Sequence, residues 1–164
     1  MTEQVDLVEA TRARYRPKQI LTLFVGESAP HSGKFFYFGN TSMARCMKKA
    51  IEAEFGVTSD FLQTFMAFGW YLDDLVLAPV NNLQGSKRKV KCVGAQDDLS
   101  RRIARYRPAA IVSLLRRIKP FVEAAARAAG SDAPHYSVPF PGNGQQARFR
   151  AEMARILPTL PRST

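Results

Sequence analysis

Ile20-Leu-Thr-Leu-Phe-Val25, closed by Gly26, decides the fold. The run is short and nearly continuous in apolar residues, the pattern of a strand covered on both faces in a parallel sheet. N-terminal to it, Val5, Leu7 and Val8 with acidic residues in the first turn predict a short helix that covers a sheet edge. That helix stops before Pro17, because the residue ahead of a proline avoids the α region. C-terminal to the run, a polar and aromatic loop leads to Asn40, Thr41 or Ser42 as the cap of a second helix. Its Met43, Cys46, Met47, Ala50, Ile51 and Phe55 recur at helical spacing, and Gly56 stops it.

Further out, a helix is expected from Ser59 to Phe68 and a strand from Trp70 to Ala78. The turn-rich segment Pro79 to Gly94, with Lys87, Arg88, Lys89 and Lys91, reads as a mobile basic loop. Asp97 to Tyr106 is helical in pattern, and Ala109 to Leu115 is a third apolar strand. Pro120 at a first helical position opens Phe121 to Ala129, closed by Gly130. His135 to Phe140 is the fourth strand. The turn Pro141-Gly-Asn-Gly144 leads into a last helix, Gln145 to Leu157, with Phe149, Met153, Ile156 and Leu157 on its apolar face. Strands alternating with helices predict an α/β fold. We expect a single three-layer domain over residues 1–164, with a central, mostly parallel four-stranded sheet and helices on both faces. Such sheets bind ligands at the carboxyl ends of their strands, so the loops after Val25, Ala78, Leu115 and Phe140 should converge on any site.

Composition narrows the function classes. The chain has 164 residues, 46% hydrophobic and 23% charged, ordinary values for one globular domain, and no apolar run nears the roughly 20 residues of a spanning helix. The N-terminal MTEQVDLVEATRAR has no continuous apolar core of a secretory signal, so a cytoplasmic, non-membrane protein is expected. The two cysteines, Cys46 and Cys92, are not at metal-ligand spacing, which excludes a four-cysteine iron–sulfur cluster from this chain alone. No cofactor or metal is expected, and nothing sets an oligomeric state. A net charge of +10, from 24 Lys and Arg against 14 Asp and Glu, attracts polyanions and makes nucleic acid the natural partner. A basic surface that merely aids solubility accounts for the charge equally well.

The loop Gly26-Glu-Ser-Ala-Pro-His-Ser-Gly-Lys-Phe-Phe-Tyr-Phe-Gly-Asn40 follows the strongest strand and joins a carboxylate, turn glycines and four adjacent rings. Rings in a loop cannot all face a core, and planar bases are commonly held by stacking worth about 1–3 kcal/mol each. Most of Phe35, Phe36 and Phe38 are expected to anchor the loop, with one or two rings reaching a ligand.

Val25-Gly-Glu-Ser-Ala-Pro, then Gly33-Lys-Phe-Phe and Gly39, resembles the first motif of the uracil-DNA glycosylase superfamily, a GEAPG-like turn ahead of a G-x-P-F-like segment. Tyr71-Leu-Asp-Asp-Leu-Val is similar to that superfamily's YITNVV-like strand, and Ser137-Val-Pro-Phe-Pro-Gly142 to its last HPS-like motif. The resemblance runs from about Ile20 to Ile156 and implies a DNA-repair hydrolase that cleaves the N-glycosidic bond of a damaged or deaminated base flipped out of DNA. By resemblance, Glu27 positions water or stabilises the sugar cation, Phe36 stacks on the base, and Gly26 and Ser28 complete the base-binding turn.

Two departures shape the expectation. Asp74 stands where the superfamily has a base-reading asparagine; an ionised Asp only accepts, so it suits a base with donors on that edge better than uracil. The register leaves Asp73 as the alternative, since strand neighbours point to opposite faces, which also argues against the two sharing a metal. Phe140 occupies the place of a histidine that stabilises the leaving base, so catalysis is weak, absent, or dependent on another group such as His31. His135 reads as structural. Gly142, Asn143 and Gly144, with the following helix N-terminus and Arg148, could approach a phosphate, and Lys87, Arg88 and Lys89 could track a DNA backbone. A non-catalytic nucleotide- or nucleic-acid-binding protein of the same fold is the alternative. A module that contacts RNA or an acidic protein is the third.

Overall fold

The computed structural model describes residues 2–163. Helix α1 (Thr2–Arg14) precedes strand β1 (Thr22–Gly26), in which Leu23, Phe24 and Val25 are fully buried, as a doubly covered strand requires. Helices α2 (Ser42–Phe55) and α3 (Phe61–Ala67) lead to β2 (Trp70–Asp74), and α4 (Gly85–Gly94) and α5 (Gln96–Tyr106) to β3 (Ala110–Ser113). Helix α6 (Lys119–Ala128) leads to β4 (His135–Ser137), and α7 (Gln146–Ile156) follows. The four strands form one sheet in the order β2-β1-β3-β4, every pair parallel. The chain steps from β1 to β2 on one side, then crosses back to β3 and β4 on the other. Right-handed crossovers therefore place the linking helices on opposite faces. In keeping with this, α2 packs against α7 and α3 against β2, while α5 packs against α6.

Local signals explain the boundaries. The Thr41 hydroxyl accepts from the Ala44 N–H at 3.0 Å and starts α2, and Asp60 caps α3 through the Gln63 N–H at 3.2 Å. Gly56 ends α2 at φ +99°, a conformation that other residues rarely adopt. At the outer edge of β2, Leu72 turns both backbone groups away from β1. The Tyr37 hydroxyl satisfies them together, donating to the Leu72 carbonyl at 2.9 Å and accepting its N–H at 2.6 Å. At the amino ends of the strands, the Pro161 carbonyl accepts from Thr22 Oγ1 at 2.8 Å and Trp70 Nε1 at 2.7 Å, closing the sheet's lower rim.

Three sequence expectations need correction. The second strand ends at Asp74, although the Leu75 and Val76 N–H groups still bond the Gly26 and Glu27 carbonyls at 2.8 Å. The fourth ends at Ser137, ahead of Pro139, which has no N–H for a ladder. The basic stretch expected as a mobile loop contains α4, whose inner face is Arg88 and Cys92, one helical turn apart, while Val90 and Val93 are exposed. That inversion of the usual pattern hides the helix from a hydrophobicity reading. Among the described residues no helix is long and apolar enough to cross a membrane.

Candidate functional site

The chain fills the sheet outward from β1 first on one side, with β2, and then on the other, with β3 and β4; this reversal of strand order leaves a crevice above the carboxyl ends of β1 and β3, where open α/β sheets bind ligands. A cleft of about 830 Å³ occupies it. Its walls come from the turn Gly26–Ser28, the loop carrying Phe36, the start of α2, Asp74, Arg88 of α4, the segment Leu114–Arg117 after β3 and the turn Phe140–Asn143 after β4. The loops expected to converge do so.

Glu27 is buried, and its carboxylate is shared by two arginines. Arg88 Nε donates to both oxygens at 3.0 Å, and its Nη2 forms a further, closer ion pair with Oε1. Arg117 Nη2 adds contacts at 3.1 and 3.2 Å, and the Cys92 thiol lies 3.7 Å from Oε2. Burial, then the Glu27 carboxylate, pushes the Cys92 thiol above its ordinary pKa, so it sits there as a protonated donor. The carboxylate is thus a bridge between α4 and the segment after β3. With its lone pairs taken, it is poorly placed to activate water.

Asp74, and not Asp73, reaches the cleft. Asp73 turns to the other face, where Arg102 Nη1 of α5 donates to it at 2.7 Å and also to the Asp74 carbonyl at 2.8 Å. Arg12 of α1 spans the sheet edge, its Nη1 lying 3.3 Å from Asp73 and 3.1 Å from Asp74. Burial raises the Asp74 carboxyl above the usual carboxylate range, Arg12 pulls it back down, and Asp73 pushes it up again. For Arg12 burial opposes the charge, yet Asp74, Asp73 and Glu9 outweigh it and raise its pKa.

The aromatic loop turns inward. Phe35, Phe36 and Tyr37 are all buried, and the Phe36 ring packs 5.5 Å from Phe65 and 6.3 Å from Phe61, so it shows the cleft an edge of the core rather than a free face. The exposed ring at the site is Phe140, at 44% exposure. It lies over Gly142, where an added Cβ would come within 2.8 Å of the ring. Ser28 borders the cleft and its hydroxyl accepts from the Val80 N–H at 3.1 Å.

His31 is exposed and outside the cleft, its backbone N–H bonded to Asn81 Oδ1 at 2.8 Å, so the loop does not bring it to Glu27. Lys87 and Lys89 lie on the exposed face of α4, whereas Arg88 between them turns inward to Glu27. Gly142 and Asn143 line the cleft; Gly144 and Arg148 do not. His135 accepts or donates at Ser113 Oγ over 2.7 Å and faces Glu123 of α6, away from the cleft. The cationic residues that sequence reasoning missed are Arg117, Arg116, Lys34, Arg45 and the buried Arg12. Arg116 and Arg117 stand directly after an apolar strand, and that position was the available signal.

The cleft's charged side chains are Lys34, Arg45, Arg88, Arg116 and Arg117 against Glu27 and Asp74, an excess of positive charge beside an apolar floor. No group of three or more His, Cys, Asp or Glu that could hold a metal occurs among the described residues. Compared with protein-family models and with curated proteins, the sequence matches none of them.

Proposed function

We propose that this protein binds nucleic acid and holds one extruded base in the cleft at the carboxyl ends of β1 and β3. The observation that carries the reading is the make-up of that cleft. Phe36, Leu72 and Leu114 floor it, the exposed Phe140 ring stands at its rim, and Lys34, Arg45 and Arg116 surround the opening. A planar base needs the first two features and its phosphates the third. The resemblance of the first loop to the uracil-DNA glycosylase superfamily supports the same ligand.

Binding without hydrolysis is the form this geometry favours, because Glu27 is occupied by Arg88 and Arg117 and Phe140 can donate no hydrogen bond to a departing base. DNA-base hydrolysis is the second reading, and one observation favours it. The Arg117 side chain is 54% exposed, so a DNA phosphate can draw it away and open one side of the Glu27 carboxylate.

Single-turnover assays on oligonucleotides carrying uracil, hypoxanthine, xanthine or ethenocytosine, in single and double strands, separate the two. Salt-sensitive binding with no strand carrying an abasic product is the expected result. Cleavage that disappears in Glu27→Ala would establish the hydrolase instead. Absence of binding to every member at low salt would overturn both.

A further inference from the structure

Asp74 is the one buried carboxylate that the cleft leaves partly unanswered. Its side chain is 6% exposed, and Oδ2 accepts from Arg12 Nη1 at 3.1 Å. Oδ1 accepts from no group among the described residues, yet the side chain borders the cleft. Oδ1 lies 2.8 Å from the position a Cβ on residue 26 would take, so it can stand at the cleft floor only because that residue is glycine. Asp73, by contrast, has Arg102 on one oxygen and Arg12 on the other.

Oδ1 is open to the cleft rather than sealed in the core, so a ligand that covers it without supplying an N–H leaves a desolvated acceptor unpaired, whereas one that brings an N–H replaces the lost hydration. Arg12 on the far oxygen balances the charge without reaching the open one. The open oxygen therefore rewards a donor and repels a carbonyl. Among planar heterocycles that fit beside Phe140, this distinction falls on a single substituent. Cytosine and uracil, and likewise adenine and hypoxanthine, differ by an amino group exchanged for a carbonyl.

Building on the base-binding reading above, we propose that Asp74 selects bases bearing an exocyclic amino group, which donates an N–H to Oδ1, and rejects their carbonyl counterparts. The preference agrees with the expectation that Asp74 raised in the sequence, and the open Oδ1 at the cleft is the structural observation that carries it.

The test uses the full chain and short single strands that are abasic except for one central base: cytosine or uracil in one matched pair, adenine or hypoxanthine in the other, with a wholly abasic strand as reference. Fluorescence anisotropy should show the amino member of each pair bound about tenfold tighter than its carbonyl partner, the ratio expected for one charge-assisted hydrogen bond against a repulsive contact. Asp74→Asn, which offers donor and acceptor alike, should bring the ratio within about twofold. Equal affinities within each pair, both above the abasic strand, would overturn the selection by Asp74 while leaving base binding intact. Tighter binding of the carbonyl members would also overturn it. Affinities all equal to that of the abasic strand would overturn the base-binding reading, and this inference with it. The comparison within each pair needs no variant, so it decides the matter even if Asp74→Asn does not fold.

Discussion

Tyr37 shows how much one atom can carry. Among the described residues its hydroxyl is the only partner of both Leu72 backbone groups on the outer edge of β2, and removing it strands a donor and an acceptor in a buried place. Tyr37→Phe should therefore cost about 1–3 kcal/mol, measured as a lower midpoint in urea with an unchanged slope. His135 supplies a pH-dependent contribution. Burial lowers its pKa below the ordinary 6.5, Glu123 opposes that and Lys119 adds to it, so the folded protein holds the imidazole neutral while the unfolded chain protonates more readily. The stability this provides is complete above about pH 6.5 and is lost as pH falls below that value. The melting temperature should drop between pH 7.5 and 5.5, and His135→Gln should flatten that part of the profile. Neither role is readable from the sequence. Tyr37 looks like one ring among four, and the partner of His135 is Ser113, on the neighbouring strand and 22 residues away.

Helix α4 is the element whose identity and task were least legible. Four basic residues, turn-forming flanks and a glycine at each end read as a loop, because the face that docks is made of Arg88 and Cys92 rather than of aliphatic side chains. By contrast β1, α2 and α7 were legible because apolar periodicity and capping residues agreed, with Thr41 and Gly56 bounding α2. The candidate site was legible at the level of Glu27, Asp74 and Phe140, all of which the fold brings to one cleft. What joins them was not, since the partners of Glu27 lie 61 and 90 positions away. Neutralising Glu27 tests that arrangement. Glu27→Gln removes the negative charge that occupies Arg88 and Arg117, so affinity for nucleic acid should rise and the salt dependence should steepen by up to about 0.9 log units per log unit of salt for each freed cation that meets a phosphate. Titration of oligonucleotide binding between low and physiological salt reads both effects.

At the scale of the whole molecule, the two ends of the sheet have separate duties. The carboxyl ends hold the cleft, while the amino ends are clamped by the C-terminal residues. Pro161 accepts from Thr22 and Trp70, the Arg162 guanidinium lies 4.4 Å above the Phe55 ring, and the Ser163 N–H donates to the Phe68 carbonyl at 2.8 Å. A chain ending at Leu160 should lose stability, about 2–4 °C in melting temperature for each kcal/mol forfeited, without loss of nucleic-acid affinity. Thermal melts paired with binding at equal temperature would check that the two properties separate. The α/β class and the parallel four-stranded sheet followed from alternation of short apolar runs with helical segments, whereas the strand order β2-β1-β3-β4 did not. Nor did the clamp, because its donors and acceptors are far apart in sequence and three of its four contacts end on backbone carbonyls.

A parallel sheet has two outer strands, and each is a potential template for another chain. Here β2 has Tyr37 on its outer edge and Arg12 at its end, and β4 is cut to His135–Ser137 between Pro134 and Pro139. Prolines beside a strand only three residues long leave too few consecutive donors to seed a cross-chain ladder. The protein is thus guarded against edge-to-edge aggregation on both sides, and it can be concentrated, or crowded along a polyanion, without its sheets joining.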